Sequence, residues 1–395
     1  MLDGVTVIDL SRALAGPYAT MMLGDLGARV IKLEHPEGGD DSRGWGPPFA
    51  QGHDGQTEST YFLSCNRNKE SVTVDLKTEA GKQTLAALIG HADVLVENFR
   101  TGVLDKLGFT TRHMHELNPR LVIASITGFG HDGPEAGRAG YDQIAQGEAG
   151  FMSLTGQPDG EPTKVSVPIA DLLAGMNIAF GIVAALNERH MTNKGRVVRT
   201  SLLSSLVSAH AFQGTHWTVA GQLPLRTGNH HPSICPYGLF YAADGPVQVA
   251  VGSEGLWMRF TAVLEMEPHD PRFATNSDRI QHRDELRRLI NDRLGERQSA
   301  EWLQLLSAAG VPSGKVRTLD EVYAWEQTAS QGLLIDVDHP SFGRITLPGP
   351  ALRIDDNGYA GARTRHLPPP RLGESNADVA KWLATFTEVQ PDPRE

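Results

Sequence analysis

Asp171 stands at a junction where a carboxylate can do more than solvate a surface. It follows the extended apolar stretch Lys164–Ala170, in which Pro168 disfavours a regular central strand, and it opens a helical pattern that runs to about Arg189. Two chemistries fit such an Asp. Its side chain can cap the helix by accepting hydrogen bonds from the first free N–H groups, or it can act as a nucleophile whose anion the helix N-terminus favours. The local residues allow both. Other reactive patterns are missing from the sequence. No Walker phosphate loop occurs, and the first β–α turn reads Ala15-Gly16-Pro17 where a dinucleotide site needs three spaced glycines. Glu34 lies where a ribose-binding acid could sit, but without those glycines an NAD site is not expected. His210, His216, His230 and His231 cluster in sequence without H-E-x-x-H or Cys/His spacing. They read as linker or packing histidines, no metal is expected, and whether His230 and His231 touch a substrate stays open. A G-x-S-x-G nucleophile elbow is missing as well.

The elements that must position Asp171 alternate between strand and helix. Val5–Leu10, Ala28–Leu33, Ser71–Leu76, Val94–Val96 and Leu121–Ile126 read as strands, with helical patterns through Met21, Met22 and Leu26, over Thr78–His91 and around Thr110–Leu117. This alternation predicts an α/β fold with a mostly parallel, Rossmann-like sheet covered on both faces. A ligand then belongs beyond the carboxyl ends of the strands. A second long helix is expected over Ser201–Gly221, followed by a linker marked by Pro224, Gly228, Pro232 and Pro236. The stretch from Gly238 to Val316 carries its own strand (Val247–Val251) and amphipathic helices (Asp284–Leu294, Glu301–Ala309), which predicts a smaller α/β domain. The expected organisation is a large domain over 1–200 completed by 330–395, a linker over 201–225 and a small domain over 226–325. Residues 326–395 form a return segment whose final helix, Ala377–Phe386, packs on the large domain.

Composition narrows the function classes. Lys and Arg number 36 against 47 Asp and Glu, a net charge of −11, which argues against a nucleic-acid partner because phosphate binding needs a basic surface. Cys65 and Cys235 are the only cysteines, so no disulfide framework exists and a reducing cytoplasm is the expected location. The N-terminus has no basic region followed by an apolar stretch, and Ile178–Leu186, bounded by Asn177 and Asn187, is too short to span a bilayer, so no membrane partner is expected.

Nine segments, in order along nearly the whole chain, carry a resemblance: Asp9–Pro17, Leu23–Glu34, Gly38–Asp40, Asn66–Lys69, Val74–Lys77, Val96–Arg100, Ser125–Gly130, Pro236–Gly238 and Pro370–Glu374. Together they resemble the family III CoA-transferases, a family that includes formyl-CoA and carnitine CoA-transferases and the α-methylacyl-CoA racemases. The resemblance implies that Asp171 is the nucleophile and that coenzyme A and acyl-CoA are substrates, with no tightly bound cofactor. It also implies an interlocked homodimer. Leu76 and Lys77 would flank the adenine, Asn98, Phe99 and Arg100 would line the nucleotide, and Ala15 and Val74 would border the same pocket. The cations Arg12, Arg67, Lys77, Arg100 and Lys106 lie near strand ends, where they could meet the CoA phosphates. Trp45 matches an active-site Trp of formyl-CoA transferase, and Tyr141 is a candidate substrate contact. Leu14 stands where that enzyme has a Gln, and its glycine-rich loop is replaced by Asn229–Ser233. These departures argue against oxalate and formate and favour a larger acceptor, such as a dicarboxylate with succinyl-CoA as donor. The racemases carry Gly-His-Asp where this chain has Gly140-Tyr141-Asp142. A racemase and a non-catalytic CoA-binding protein are the competing readings.

Overall fold

Runs of Val, Ile and Leu bounded by turn residues form six strands: β1 (Thr6–Asp9), β2 (Arg29–Glu34), β3 (Lys69–Thr73), β4 (Val94–Glu97), β5 (Val122–Thr127) and β6 (Val197–Ser201). This computed structural model describes residues 1–355 and 359–387. All neighbouring strands are parallel, in the order β3-β2-β1-β4-β5-β6. Val7, Ile8, Ile31, Val94, Leu95, Val96 and Val122 are fully buried, as a sheet covered on both faces requires. Below one face, Ile8, Ile31, Leu85, Leu88, Leu95 and Val379 share a core, each side chain contributing roughly 1.5–3 kcal/mol by its burial. The strand order reverses between β1 and β4. Their connections leave in opposite directions, and a crevice opens beyond their carboxyl ends.

β6 is the strand that the sequence did not announce. Val197–Ser201 is a half-exposed edge with Arg199 in its middle, so its apolar pattern is weak. The long helix expected over 201–221 is likewise two short ones, Leu202–Ser208 and Ala211–Thr218, broken where Ala211 adopts a φ of 47°. A left-handed residue cannot continue an α-helix. Within the Pro- and Gly-rich return segment, Leu334–His339 and Gly343–Pro348 form an antiparallel hairpin.

The chain divides into two compact units, one of Met1–Ala149, Val165–Thr215 and Trp325 onward, the other of Gly150–Lys164 and His216–Ala324. In the smaller unit Gly245–Ala250 pairs antiparallel with Tyr237–Ala242 and with Ser313–Lys315. Phe240, Val247, Trp257, Phe260, Leu286 and Trp302 fill its core. Gly150–Lys164, inside the stretch read from sequence as large domain, belongs to this unit because Arg226 donates to the carbonyls of Gln157 and Gly160 at 3.1 and 2.8 Å.

Three helices of the larger unit matter for the site: α1 (Ala15–Asp25), α2 (Asp142–Glu148) and α3 (Ile169–Thr192). By length and composition the 24-residue α3 could cross a membrane. It lies against α1, β5 and β6, and it stops at Asn193, whose φ of 55° ends the helix while its N–H bonds the Arg189 carbonyl. Gly175 lets α3 approach α1, since a Cβ there would stand 2.7 Å from the Ala15 carbonyl oxygen. Gly175→Ala should therefore destabilise the protein by about 1–3 kcal/mol despite the better helix propensity of Ala. Denaturant unfolding checks this, and a variant at least as stable as wild type would show that the two helices can separate freely.

Candidate active site

The crevice between β1 and β4 is built on buried charge. Asp9, at the end of β1, accepts from Ser11 N–H at 2.9 Å and Thr20 Oγ1 at 2.7 Å, and pairs with Lys69 at 3.0 Å. Lys32 pairs with Asp40 at 2.8 Å and donates to the Ser11 carbonyl. Burial alone would raise the Asp9 pKa, but the two ammonium groups and the Ser11 and Thr20 hydroxyls hold it well below the usual carboxylate range. Removing one partner of such a pair typically costs about 3–5 kcal/mol, because the other charge is left buried. The network fixes the turn after β1. There Ala13 takes a φ of 64° and donates its N–H to Asp40 at 3.0 Å. Gly16 allows the turn to close, since a Cβ would stand 2.2 Å from the Ser11 Cβ.

Asp171 lies in the first turn of α3, two residues after its first residue Ile169. It is not the cap that the sequence allowed. Asp142, the first residue of α2, does that work by accepting from the Ala170 N–H at 2.8 Å, while its other oxygen holds Gln146 at 2.8 Å. Gln146 in turn accepts from the Val165 N–H and donates to its carbonyl, which ties the segment leading into α3. Among the described residues nothing donates to the Asp171 carboxylate. Burial first, and the nearby Asp142 charge second, raise its pKa from 3.8 to about 7. A half-buried carboxyl without donors is poorly solvated as an anion, which makes it a stronger nucleophile once ionised.

The residue after it, Leu172, packs on a small apolar cluster of Leu14, Met21 and Cys65, together with Tyr18 and Tyr61. Ala15 opens α1 and is buried. Tyr61 meets Trp45 edge to face, with ring centroids 5.0 Å apart. Burial raises the Tyr61 phenol pKa, and the Asp171 and Asp142 charges add to the rise, so its ring stands within electrostatic reach of the carboxylate. Sequence reasoning did not select Tyr61 or Asp142 as site residues; nothing local marks Tyr61, and Asp142 stood only as the last member of the Gly140-Tyr141-Asp142 triplet. Tyr141 precedes α2 and is 67% exposed, available to a ligand.

On the other side of the crevice, Val74, Leu76 and Phe99 join one apolar cluster, and the Arg12 guanidinium lies 5.6 Å from the Phe99 ring centroid. Arg100 lines a cleft of about 260 Å³, while Lys77 and Lys106 are exposed, as free surface cations would be. One expectation is corrected. Arg67 is not a phosphate ligand: it is buried, bonds both oxygens of Asp25 at 2.8 and 2.6 Å, and donates to the Pro348 carbonyl. Asn98 accepts from the Arg12 N–H and donates to the Arg12 carbonyl, both at 2.8 Å, which ties its turn to the one after β1 and leaves its second N–H unused by these bonds. Glu34 is engaged too, by Arg43 and by Ser71 at 2.6 Å, which leaves no ribose acid. His230 and His231 pack on Phe240 and Tyr237 in the smaller unit. Among the described residues no cluster of His, Cys, Asp or Glu could hold a metal ion.

Comparison with known proteins finds similarity over nearly the whole chain. The CoA-transferase family III profile matches residues 2–376. A succinate–glutarate CoA-transferase of Agrobacterium fabrum is 39% identical over 98% of this chain and 96% of its own length. An acetyl-CoA:oxalate CoA-transferase of Acetobacter aceti is 37% identical over 97% and 95%. The crystal structure of a CaiB/BaiF family protein from Brucella suis superposes with a TM-score of 0.85 at 38% identity, covering 97% of this chain and 99% of that one. The chain belongs to CoA-transferase family III.

Proposed function

We propose that this CoA-transferase moves CoA from a succinyl-CoA-type donor to a dicarboxylate acceptor through an aspartyl-CoA thioester on Asp171. The observation that carries the reading is the Asp171 carboxyl, raised to about pKa 7 in the first turn of α3 and without a donor among the described residues, while Asp142 caps that helix. In the first half-reaction an Asp171 oxygen attacks the thioester carbonyl, and collapse of the tetrahedral oxyanion expels CoA thiolate and leaves an acyl–aspartyl anhydride. The thiolate then attacks the aspartyl carbonyl, which releases the donor acid as carboxylate and forms the aspartyl thioester. An acceptor carboxylate reverses the two steps. No proton is consumed, and each step passes one acyl group between neighbouring nucleophiles. The α3 N-terminus favours the anions that form beside it. Leu14, Tyr61 and Trp45 supply an apolar wall for the acyl chain, and Tyr141 a hydroxyl for an acceptor carboxylate.

A relative that acts on glutarate supports a dicarboxylate acceptor; one that acts on oxalate leaves the acceptor's length open. The deciding experiment incubates the protein with succinyl-CoA or acetyl-CoA and a panel of mono- and dicarboxylates, read by mass spectrometry. We expect transfer from succinyl-CoA to a C4–C6 dicarboxylate. Exchange of the α-hydrogen of a 2-methylacyl-CoA in D2O without any transfer would overturn the reading in favour of a racemase. In that reading an imidazole shares the proton transfer, and the Tyr141 phenol is a poor substitute.

Lys77→Ala and Arg100→Ala should each weaken CoA binding by about 1–3 kcal/mol, the worth of a charge-assisted hydrogen bond to phosphate. Calorimetric titration checks this, and unchanged affinity in both variants would move the nucleotide elsewhere.

α3 also presents Met176, Phe180, Val183 and Met191 to solvent, with Phe180 78% and Met191 81% exposed. A stripe of this kind fits burial against a second copy of the chain. Light scattering should give twice the chain mass of 42.8 kDa.

A further inference from the structure

We infer that Glu97 is a positioning residue for the nucleotide half of CoA, fixing the Asn98–Arg100 turn through a hydrogen-bond relay that starts at His131. The inference rests on the CoA-transferase reading above and adds a residue to it. Glu97 ends β4, and Ser125 on β5 and Arg199 on β6 stand beside it in register across the sheet. Glu97 is 8% exposed. One oxygen accepts from Ser125 Oγ, and the other accepts from the Phe99 N–H at 2.8 Å. His131 Nε2 lies 2.8 Å from Ser125 Oγ. Because the Ser125 proton is given to Glu97, the His131 ring must carry its own proton on Nε2 and donate it. Asn98, between Glu97 and Phe99 in the chain, exchanges its two bonds with the Arg12 backbone, so the turn that Glu97 holds is also tied to the turn after β1. Glu97, Phe99, Arg100, Ser125, His131 and Arg199 line the same cleft of about 260 Å³.

The sheet does not need this carboxylate. An aliphatic residue at Glu97 would keep the ladder and avoid the cost of burying a charge. What only a double acceptor supplies is a fixed direction for the Phe99 N–H, and with it the ring and the Arg100 side chain that follow. The charged and titratable groups that face it are Arg199 on β6, His131 and Asp132 after β5, and Asp105 on the short helix Val103–Lys106. Burial raises the Glu97 pKa, the bonds from Ser125 and the Phe99 N–H oppose that, and Asp105 adds to it.

The test compares wild type with Glu97→Ala, Glu97→Gln and Ser125→Ala, measuring CoA affinity by calorimetry and the KM for acyl-CoA and kcat by steady-state kinetics. Glu97→Ala should raise both the CoA Kd and KM about tenfold, which corresponds to roughly 1.4 kcal/mol. Its kcat should change less than about threefold, since Asp171 is untouched. Glu97→Gln should restore affinity, its amide oxygen accepting from Phe99 and its NH2 group meeting Ser125. Ser125→Ala should raise Kd about threefold, and it carries the test if Glu97→Ala does not fold. Unchanged Kd and KM in Glu97→Ala, or in Ser125→Ala if that variant alone folds, would overturn the inference, and so would loss of kcat without rescue by Gln. Wild type that binds no CoA would sink the parent reading as well; wild type that binds CoA beside an unaffected Glu97→Ala sinks this inference alone.

Discussion

Asp171→Asn should abolish CoA transfer, lowering kcat by roughly 10³–10⁵-fold, while the fold and CoA affinity remain. Losses of this size follow removal of a covalent nucleophile, because binding and oriented dipoles retain only part of the catalysis. Asn is nearly isosteric with Asp, and Asp171 accepts no bond among the described residues that the amide would break. The Asp142 cap on the Ala170 N–H keeps the helix start in place either way. Wild type incubated with acyl-CoA and no acceptor should add the mass of CoA, less one water, to the peptide that contains Asp171. Asp171→Asn should add nothing. Turnover within tenfold of wild type, or the adduct on another peptide, would show that the relay runs through a different group.

The parts of this site that were legible in the sequence are those set by local pattern. Alternating strands and helices predicted the parallel sheet, and the apolar stretch before Asp171 marked a junction. What the sequence concealed depends on partners far along the chain. Arg67 reads as a phosphate ligand because nothing nearby in sequence neutralises it, yet Asp25, a whole strand–helix unit earlier, takes both of its forks. Asn98 carries the right group for a nucleotide contact, and its bonds to the Arg12 backbone, 86 residues earlier, could not be read from its neighbours. Asp171 itself was open between cap and nucleophile, and only the approach of Asp142 from α2 shows that the cap is supplied from outside the helix. Tyr61 joins the site by packing, as Leu172 does, on the cluster of Leu14, Met21 and Cys65, an assembly of separate segments that no periodicity records. β6 escaped because an edge strand with one exposed face and a central Arg has little pattern to read.

The pH dependence should follow the same carboxyl. With the Asp171 pKa raised to about 7, only the deprotonated fraction can attack a thioester. The kcat/KM for acyl-CoA should therefore fall about tenfold per pH unit below 7, to roughly one hundredth of its plateau at pH 5, and level off above about pH 8. Asp142→Asn removes the second cause of the shift, so its profile should move to lower pH, provided the amide oxygen of the substituted side chain still accepts from the Ala170 N–H. Stability should move the opposite way to activity. Because the folded-state pKa lies above the usual 3.8, the folded protein binds its proton more tightly than the unfolded chain does. Stability is then fully present below about pH 4 and declines as pH rises through 7. Asp171→Asn has no such proton to lose, so its melting temperature should draw ahead of wild type between pH 5 and 8. For a half-buried, partly screened group the gain is on the order of 1 kcal/mol, or roughly 1–3 °C. A flat kcat/KM profile down to pH 5, with identical melting of the two proteins at every pH, would show that Asp171 titrates as an ordinary surface carboxylate and is not held back for chemistry by its surroundings.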